Sequence, residues 1–412
     1  MAGHDRKKQA RSANVGRRLL VGMGASAGVF LAAAAMATGA TVTAAPAKAD
    51  FEELLDPIIQ PLLTSLTDSI GAFDPAAALD LTSWTDSFLA SLNSIDLALP
   101  SAAEPAAAAA SSTADTAALT GGTIPLTVLE GTEPAVNASI DGGDPVSLLV
   151  DTGSSGLVVP YTDLGDNIFT QLEALFQLGS PETFGISGYS GGVEYVYGVY
   201  NTVPVDYLND AGGTALTTNG PVDVELFSWS NNLSDPFENF QSFLSANQVD
   251  GILGIGENTA GPTTTPFEDY GGVLVDIPNH QLVIGEANPF PEAPSTAGTG
   301  VSDVFEQIGT GAKQEVTNII DSGGVFGTIS SNLETGSSVP AGTEITVYNT
   351  AGQELYSYST IGNFDVDGPK LVSDAPTIVS GTSIDSGVLP FLNHAVYIDY
   401  AGDKTYFGPL TT

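Results

Sequence analysis

The sequence predicts an all-β protein built as two lobes. Its 412 residues exceed the ~100–200 of a usual domain, and a closely packed two-lobed body fits that length. The 47 glycines and 25 prolines are spread widely, as an architecture with many turns requires. The runs of Val, Ile, Thr and Tyr are short, and Gly/Asp turns separate them.

The first 49 residues read as a signal peptide. A basic stretch ends at Arg17-Arg18, Leu19 to Ala47 carries no charge, and Ala47-Lys48-Ala49 has the small-x-small form of a cleavage site. The arginine pair before Leu19-Leu20 also matches a twin-arginine export pattern. The expectation is cleavage before Asp50 and a secreted or cell-envelope protein. A retained anchor is the alternative, because the uncharged run is long enough to span a bilayer.

Residues 50–122 form a second region. Phe51, Leu54, Leu55, Ile58, Ile59, Leu62, Leu63, Leu66 and Ile70 recur at helical spacing, interrupted by Pro57 and Pro61. Trp84, Phe88, Leu89, Leu92 and Ile95 make another apolar stripe, and residues 101–118 are an Ala/Ser-rich linker. One reading is a prosegment, or an element touching membrane or envelope through residues 51–99. A helical spacer that covers its own apolar face is the favoured one. The region has no Lys or Arg, so it cannot neutralise a carboxylate pair as a basic propeptide would.

From Thr123 the texture is β. Strands are expected at Thr123 to Val128, Val136 to Ile140, Val146 to Val150, Leu157 to Pro160, Val193 to Val205 and Leu282 to Gly285. The lobes are expected over residues 123–298 and 299–412.

Composition excludes several function classes. With no cysteine there is no disulfide, thiolate metal site or thiol nucleophile. Of 48 acidic residues only Asp5 precedes Asp50, so beyond Ala49 47 carboxylates stand against Lys313, Lys370 and Lys404. Such a surface repels nucleic acid and anionic lipid. Beyond the leader only His280 and His394 remain, each isolated, so no metal is expected; a serine triad would need one of them beside an activated serine, and no Gly-x-Ser-x-Gly elbow appears.

The chemistry concentrates at Ser147-Leu-Leu-Val-Asp-Thr-Gly-Ser-Ser-Gly-Leu-Val-Val-Pro160. An apolar strand delivers Asp151 into a turn that Gly153 makes tight, so backbone amides can point at the carboxylate. Thr152 can lock the loop by hydroxyl bonding, and Ser154 can bond the outer carboxylate oxygen. The sequence Ile319-Ile-Asp-Ser-Gly-Gly-Val-Phe326 repeats the pattern 170 residues later, with Asp321, Ser322 and Gly323. Two facing aspartates that share one proton can hold and activate a water, one as base and one as acid. Ile384-Asp385-Ser-Gly387 competes for the second role. Only 27 residues follow Asp385 against 91 after Asp321, so Asp321 is the expected partner, and a turn or supporting role is expected for Asp385.

These residues carry a resemblance. DTGSSGLVVP resembles the first active-site loop of pepsin-like aspartic proteases, and Asp250-Gly-Ile-Leu-Gly-Ile-Gly256 is similar to the segment that packs behind it. Ile186-Ser-Gly-Tyr-Ser-Gly-Gly192 resembles their flap, which makes Tyr189 the flap tyrosine that covers substrate. IPLTVLEGTEPAVNASI, DGILGIGENTAGP, GVLVDIPNHQLVIG and LPFLNHAVYIDY resemble the aspartic protease domain of mycobacterial PE-family proteins. The resemblance covers roughly residues 123–412. It implies a bilobal fold with Asp151 and Asp321 at the floor of the cleft and an extended polypeptide under the flap. It also implies no cofactor, a monomer, and an envelope protease trimming secreted PE-type proteins. The leader stands where that family carries its PE domain, which speaks against type VII export. Gly324 stands where many such enzymes have Ser or Thr, and the second lobe is short. A noncatalytic envelope-binding module on the same scaffold is therefore the rival reading.

Overall fold

The computed structural model describes residues 119–165, 168–179, 181–189, 193–230, 239–257, 259, 261–285, 287–334, 339–365, 371–374, 376–379 and 383–410. The expected signal peptide, helical stripes and linker lie outside these residues. Three sheets hold nearly all the long-range order, so the all-β expectation holds.

The first sheet has eight strands. In spatial order they are Thr127–Leu129, Glu133–Ile140, Pro145–Asp151, Gly251–Ile255, Ser155–Pro160, Thr214–Ser230, Val193–Leu208 and Thr183–Tyr189. A further pairing of Ala138, Ser139 and Ile140 with Tyr207, Asp206 and Val205 closes this sheet on itself. The two strands that flank the Asp151 turn are separated by Gly251–Ile255, which runs parallel to the first and antiparallel to the second. Ser155–Pro160 and Gly251–Ile255 are buried at every position, which explains why their sequences are continuous apolar runs rather than alternations. Leu148, Leu157 and Leu253 are fully buried here. Truncating one such leucine to Ala costs about 2–5 kcal/mol.

A second sheet of seven strands repeats the crossing. Gln314–Ile319 leads into Asp321 and pairs in parallel with Ser383–Asp385, which is antiparallel to Thr328–Ser330. In both sheets a glycine lets the returning chain press against the aspartate loop. A Cβ on Gly254 would lie 2.7 Å from the Ser155 backbone, and one on Gly387 would lie 2.5 Å from the Gly327 nitrogen. No side chain fits at either place.

A third sheet of six strands joins distant parts of the chain. Gly122–Pro125, Gln281–Ile284 and Gly272–Asp276 pair onward to His394–Asp399, Lys404–Leu410 and Ser295–Ala297. The expected strand Thr123 to Val128 is therefore two strands in two sheets. It breaks at Leu126, whose side chain is buried and whose N–H donates to the His280 carbonyl at 2.9 Å. Helices are few among the described residues: Ile168–Leu178, Phe240–Ala246 and Leu389–Asn393. Phe240–Ala246 has a reciprocal cap, with Asn239 Oδ1 accepting from the Ser242 N–H and Ser242 Oγ from the Asn239 N–H, both at 2.8 Å.

Candidate active site

Asp151 ends the strand Pro145–Asp151, and Asp321 stands two residues beyond Gln314–Ile319. Both are 6% exposed. The loops interlock through their second residues. Thr152 Oγ1 donates to the Ile320 carbonyl at 2.5 Å and accepts from the Ser322 N–H at 2.9 Å. Ser322 Oγ donates to the Val150 carbonyl at 2.6 Å and accepts from the Thr152 N–H at 3.1 Å. Each hydroxyl thus reaches the backbone preceding the opposite aspartate. A hydroxyl is needed at both places, because a buried N–H or carbonyl left unpaired costs about 1–3 kcal/mol.

The third residues aim the carboxyls. Gly153 and Gly323 each donate their N–H to Oδ1 of their own loop's aspartate at 2.7 Å. They also make room for the opposite one. A Cβ on Gly153 would lie 2.4 Å from Asp321 Cγ, and one on Gly323 would lie 3.2 Å from Asp151 Cγ. The two carboxyls therefore face each other across a nearly symmetric pair of loops. Burial pushes the Asp321 carboxyl well above the ordinary aspartate range. The charges of Asp151 and Asp385 and a hydrogen bond with Asp151 push it further in the same direction.

The pattern of the PE-PGRS C-terminal aspartyl peptidase-like domain matches residues 122–406. The chain belongs to this family. It is 36% identical over 302 residues to the PE cleavage protein A of Mycobacterium tuberculosis (strain H37Rv), covering 68% of this chain and 50% of that one. The Mycobacterium marinum protein of the same name is 39% identical over 304 residues, with the same coverage. The chain thus spans about half the length of these relatives. Membership of an aspartyl peptidase-like family accords with the paired aspartate loops just described.

Ser154 and Tyr189, also singled out from the sequence, lie close to Asp151. Ser154 Oγ donates to Asp151 Oδ2 at 2.6 Å. Tyr189 ends a strand of the hairpin Thr183–Tyr189 and Val193–Leu208, and its ring stacks within 6 Å of Tyr195, Phe240 and Phe243. Burial first, then the charge of Asp151, raises its hydroxyl above the usual tyrosine range. The flap residues 190–192 lie outside the described residues. His280 caps a short turn, and His394 is buried with Nδ1 2.7 Å from the Gly408 carbonyl. Among the described residues no group of three or more His, Asp or Glu is placed to hold a metal.

Two features of the site exceed what the sequence reading assigned. Asp385 does not sit in a turn. It lies in the strand beside Gln314–Ile319, paired with Ile319, and the next residue's Ser386 Oγ accepts the Asp321 N–H at 2.9 Å. The rival aspartate is thus a neighbour of Asp321 rather than an alternative to it. Glu133, which reads as a turn residue in Glu-Gly-Thr-Glu-Pro, is 3% exposed and close enough for the Asp151 charge to act on it. Burial pushes its carboxyl up to about 8, opposed by a 3.2 Å hydrogen bond from Thr132 Oγ1. Further carboxyls in the first sheet and its flanking turn are also raised by burial, Asp223 and Glu225 to about 7 and Asp163 to about 6.

Proposed function

We propose that this protein is an aspartic endopeptidase whose catalytic pair is Asp151 and Asp321. The observation that carries the reading is the pair of interlocked loops, which hold two buried carboxyls face to face with a proton favoured on Asp321. Asp151 accepts hydrogen bonds on both oxygens, from Gly153 and Ser154, which hold its carboxyl facing Asp321. Asp151 is then the base and Asp321 the acid. A water between them loses a proton to Asp151 as its oxygen bonds to the peptide carbonyl carbon. Asp321 gives its proton to the carbonyl oxygen, so a neutral gem-diol forms. Collapse returns a proton from Asp151 to the amide nitrogen and one from a diol hydroxyl to Asp321. The C–N bond breaks, leaving an acid and an amine. Tyr189 covers the bound peptide and excludes water.

The substrate class is an extended polypeptide. The names of the two relatives extend this reading to PE proteins as substrates. The leader, read as an export signal, adds the proposal that cleavage takes place at the cell envelope. Asp151→Asn and Asp321→Asn should each leave circular dichroism unchanged while cleavage of a fluorogenic peptide falls by at least ~1,000-fold. Retained cleavage in either variant would remove that aspartate from the mechanism. A mature N-terminus at Asp50 on exported protein supports the leader reading, and one near Met1 favours an anchor.

A further inference from the structure

The two loops part company at their fourth residue. Ser154 gives Asp151 Oδ2 a hydroxyl, whereas Gly324 in the matching place has no side chain to offer Asp321. That space is filled from elsewhere. The position a Cβ on Gly324 would take lies 2.5 Å from Asp385 Oδ1, 2.9 Å from Asp385 Oδ2 and 3.0 Å from Asp321 Oδ2. The Asp385 carboxyl thus occupies the volume of the missing hydroxyl side chain, on the side of the Asp321 outer oxygen. Asp385 is buried, its backbone N–H donates to Thr328 Oγ1 at 3.2 Å, the Gly387 N–H donates to its Oδ1 at 2.8 Å, and the strand pairing with Ile319 fixes its height.

Resting on the endopeptidase reading, we infer that Asp385 is a third carboxyl of the site, a positioning residue that in its protonated form donates to Asp321 Oδ2 in place of a residue-324 hydroxyl. The bond strengthens as Asp321 gives up its proton and becomes negative, so it lowers the barrier more than it tightens substrate binding. Gly324 follows from this arrangement, since any side chain there collides with Asp385. The titratable groups facing Asp385 are Asp321, with Asp151 beyond it, and Tyr356, itself beside Glu306.

The test uses the peptide that the wild-type protein cuts fastest from a quenched fluorescent library at acid pH. Asp385→Ala should lower kcat about 10- to 100-fold with little change in KM, the worth of one charge-assisted hydrogen bond. Asp385→Asn keeps a donor and should lose less. Gly324→Ser alone should also lose activity, because its Cβ lands on Asp385. The double variant Asp385→Ala/Gly324→Ser should recover most of what Asp385→Ala lost, since the hydroxyl now fits where it is needed. Wild-type kcat in Asp385→Ala, or a folded double variant no better than Asp385→Ala, would overturn the inference. Carboxyl carbon NMR supplies an arm that needs no turnover: Asp385→Ala should raise the titration midpoint of Asp321, because the hydrogen bond that favours its charged form is gone, whereas a lowered midpoint would mean a charged Asp385 and refute the donor. An unmoved midpoint refutes the contact. A protein that cuts nothing but shows the raised midpoint refutes the endopeptidase reading and leaves the contact standing.

Discussion

The Asp151 loop and the Asp321 loop are alike for three residues and differ at the fourth. Aspartate, hydroxyl residue and glycine have the same hydrogen bonds in both, because the interlock needs two hydroxyls and two bare Cα positions. The fourth residue lies outside the interlock, and there the second loop draws its polar group from another strand. The difference teaches that symmetry is enforced where the loops touch each other and relaxed where each touches only its own sheet.

Changes at the shared positions should have the largest effects. Thr152→Val and Ser322→Ala each strand buried backbone groups, and each should lower thermal stability by about 1–3 kcal/mol. Activity should fall at least ~10-fold with them, because the carboxyls lose their alignment. Thr152→Ser, which keeps the hydroxyl, should recover most of both. A large loss in one variant and none in the other, read by calorimetry and peptide cleavage, would break the symmetry of the comparison.

Tyr189→Ala comes next. It opens only the first side of the cleft, so kcat/KM should fall about 10-fold or more, and loss of the ring stacked on Tyr195, Phe240 and Phe243 should also lower stability by about 1–3 kcal/mol. Unchanged kinetics would return Tyr189 to a packing role. Ser154→Ala should cost about 3- to 30-fold in kcat, removing one hydrogen bond to a carboxylate. A loss matching that of Asp385→Ala would make the two fourth-position devices equivalent.

The smallest effect concerns stability and pH. Each large sheet buries a glutamate pushed up from its ordinary value to about 8, Glu133 in the first and Glu306 in the second, burial being the main cause in both. A raised folded value means the folded protein holds protons that the unfolded chain has released. The stabilisation is therefore full below about pH 4.5 and is lost as pH rises through about 8. Melting temperature should fall across that window, and Glu133→Gln and Glu306→Gln should each flatten the fall by about 2–4 °C. A melting temperature that rises from pH 4.5 to 8 would contradict both assignments.

The aspartate loops were legible because their signal is local: a short turn between two apolar runs, repeated once. The class of fold was legible from turn spacing for the same reason. Strand partners were not, since Gly251–Ile255 lies about 100 residues from the strand it joins, and no period in the sequence records that pairing. For this cause the turn offered for Asp385 failed, while the supporting role offered beside it did not. Counting the residues after it says how much chain remains, but not that Ser383–Asp385 threads between the strand leading to Asp321 and the one leaving it. Glu133 was missed because a carboxylate beside Gly, Thr and Pro reads as a solvated turn until the sheet closes over it.

The six-stranded sheet has a consequence for the order of events during synthesis. Asp151 leaves the ribosome some 240 residues before Val396 and Ile398, the residues that pair with Val275 and Val273. Those pairings, with Lys404–Leu410 alongside, tie the two aspartate-bearing sheets into one body. A nascent chain can therefore complete its first sheet early and yet have no aligned carboxyl pair. Alignment waits on the last strands, and a chain cut short near residue 390 would lack both His394–Asp399 and Lys404–Leu410.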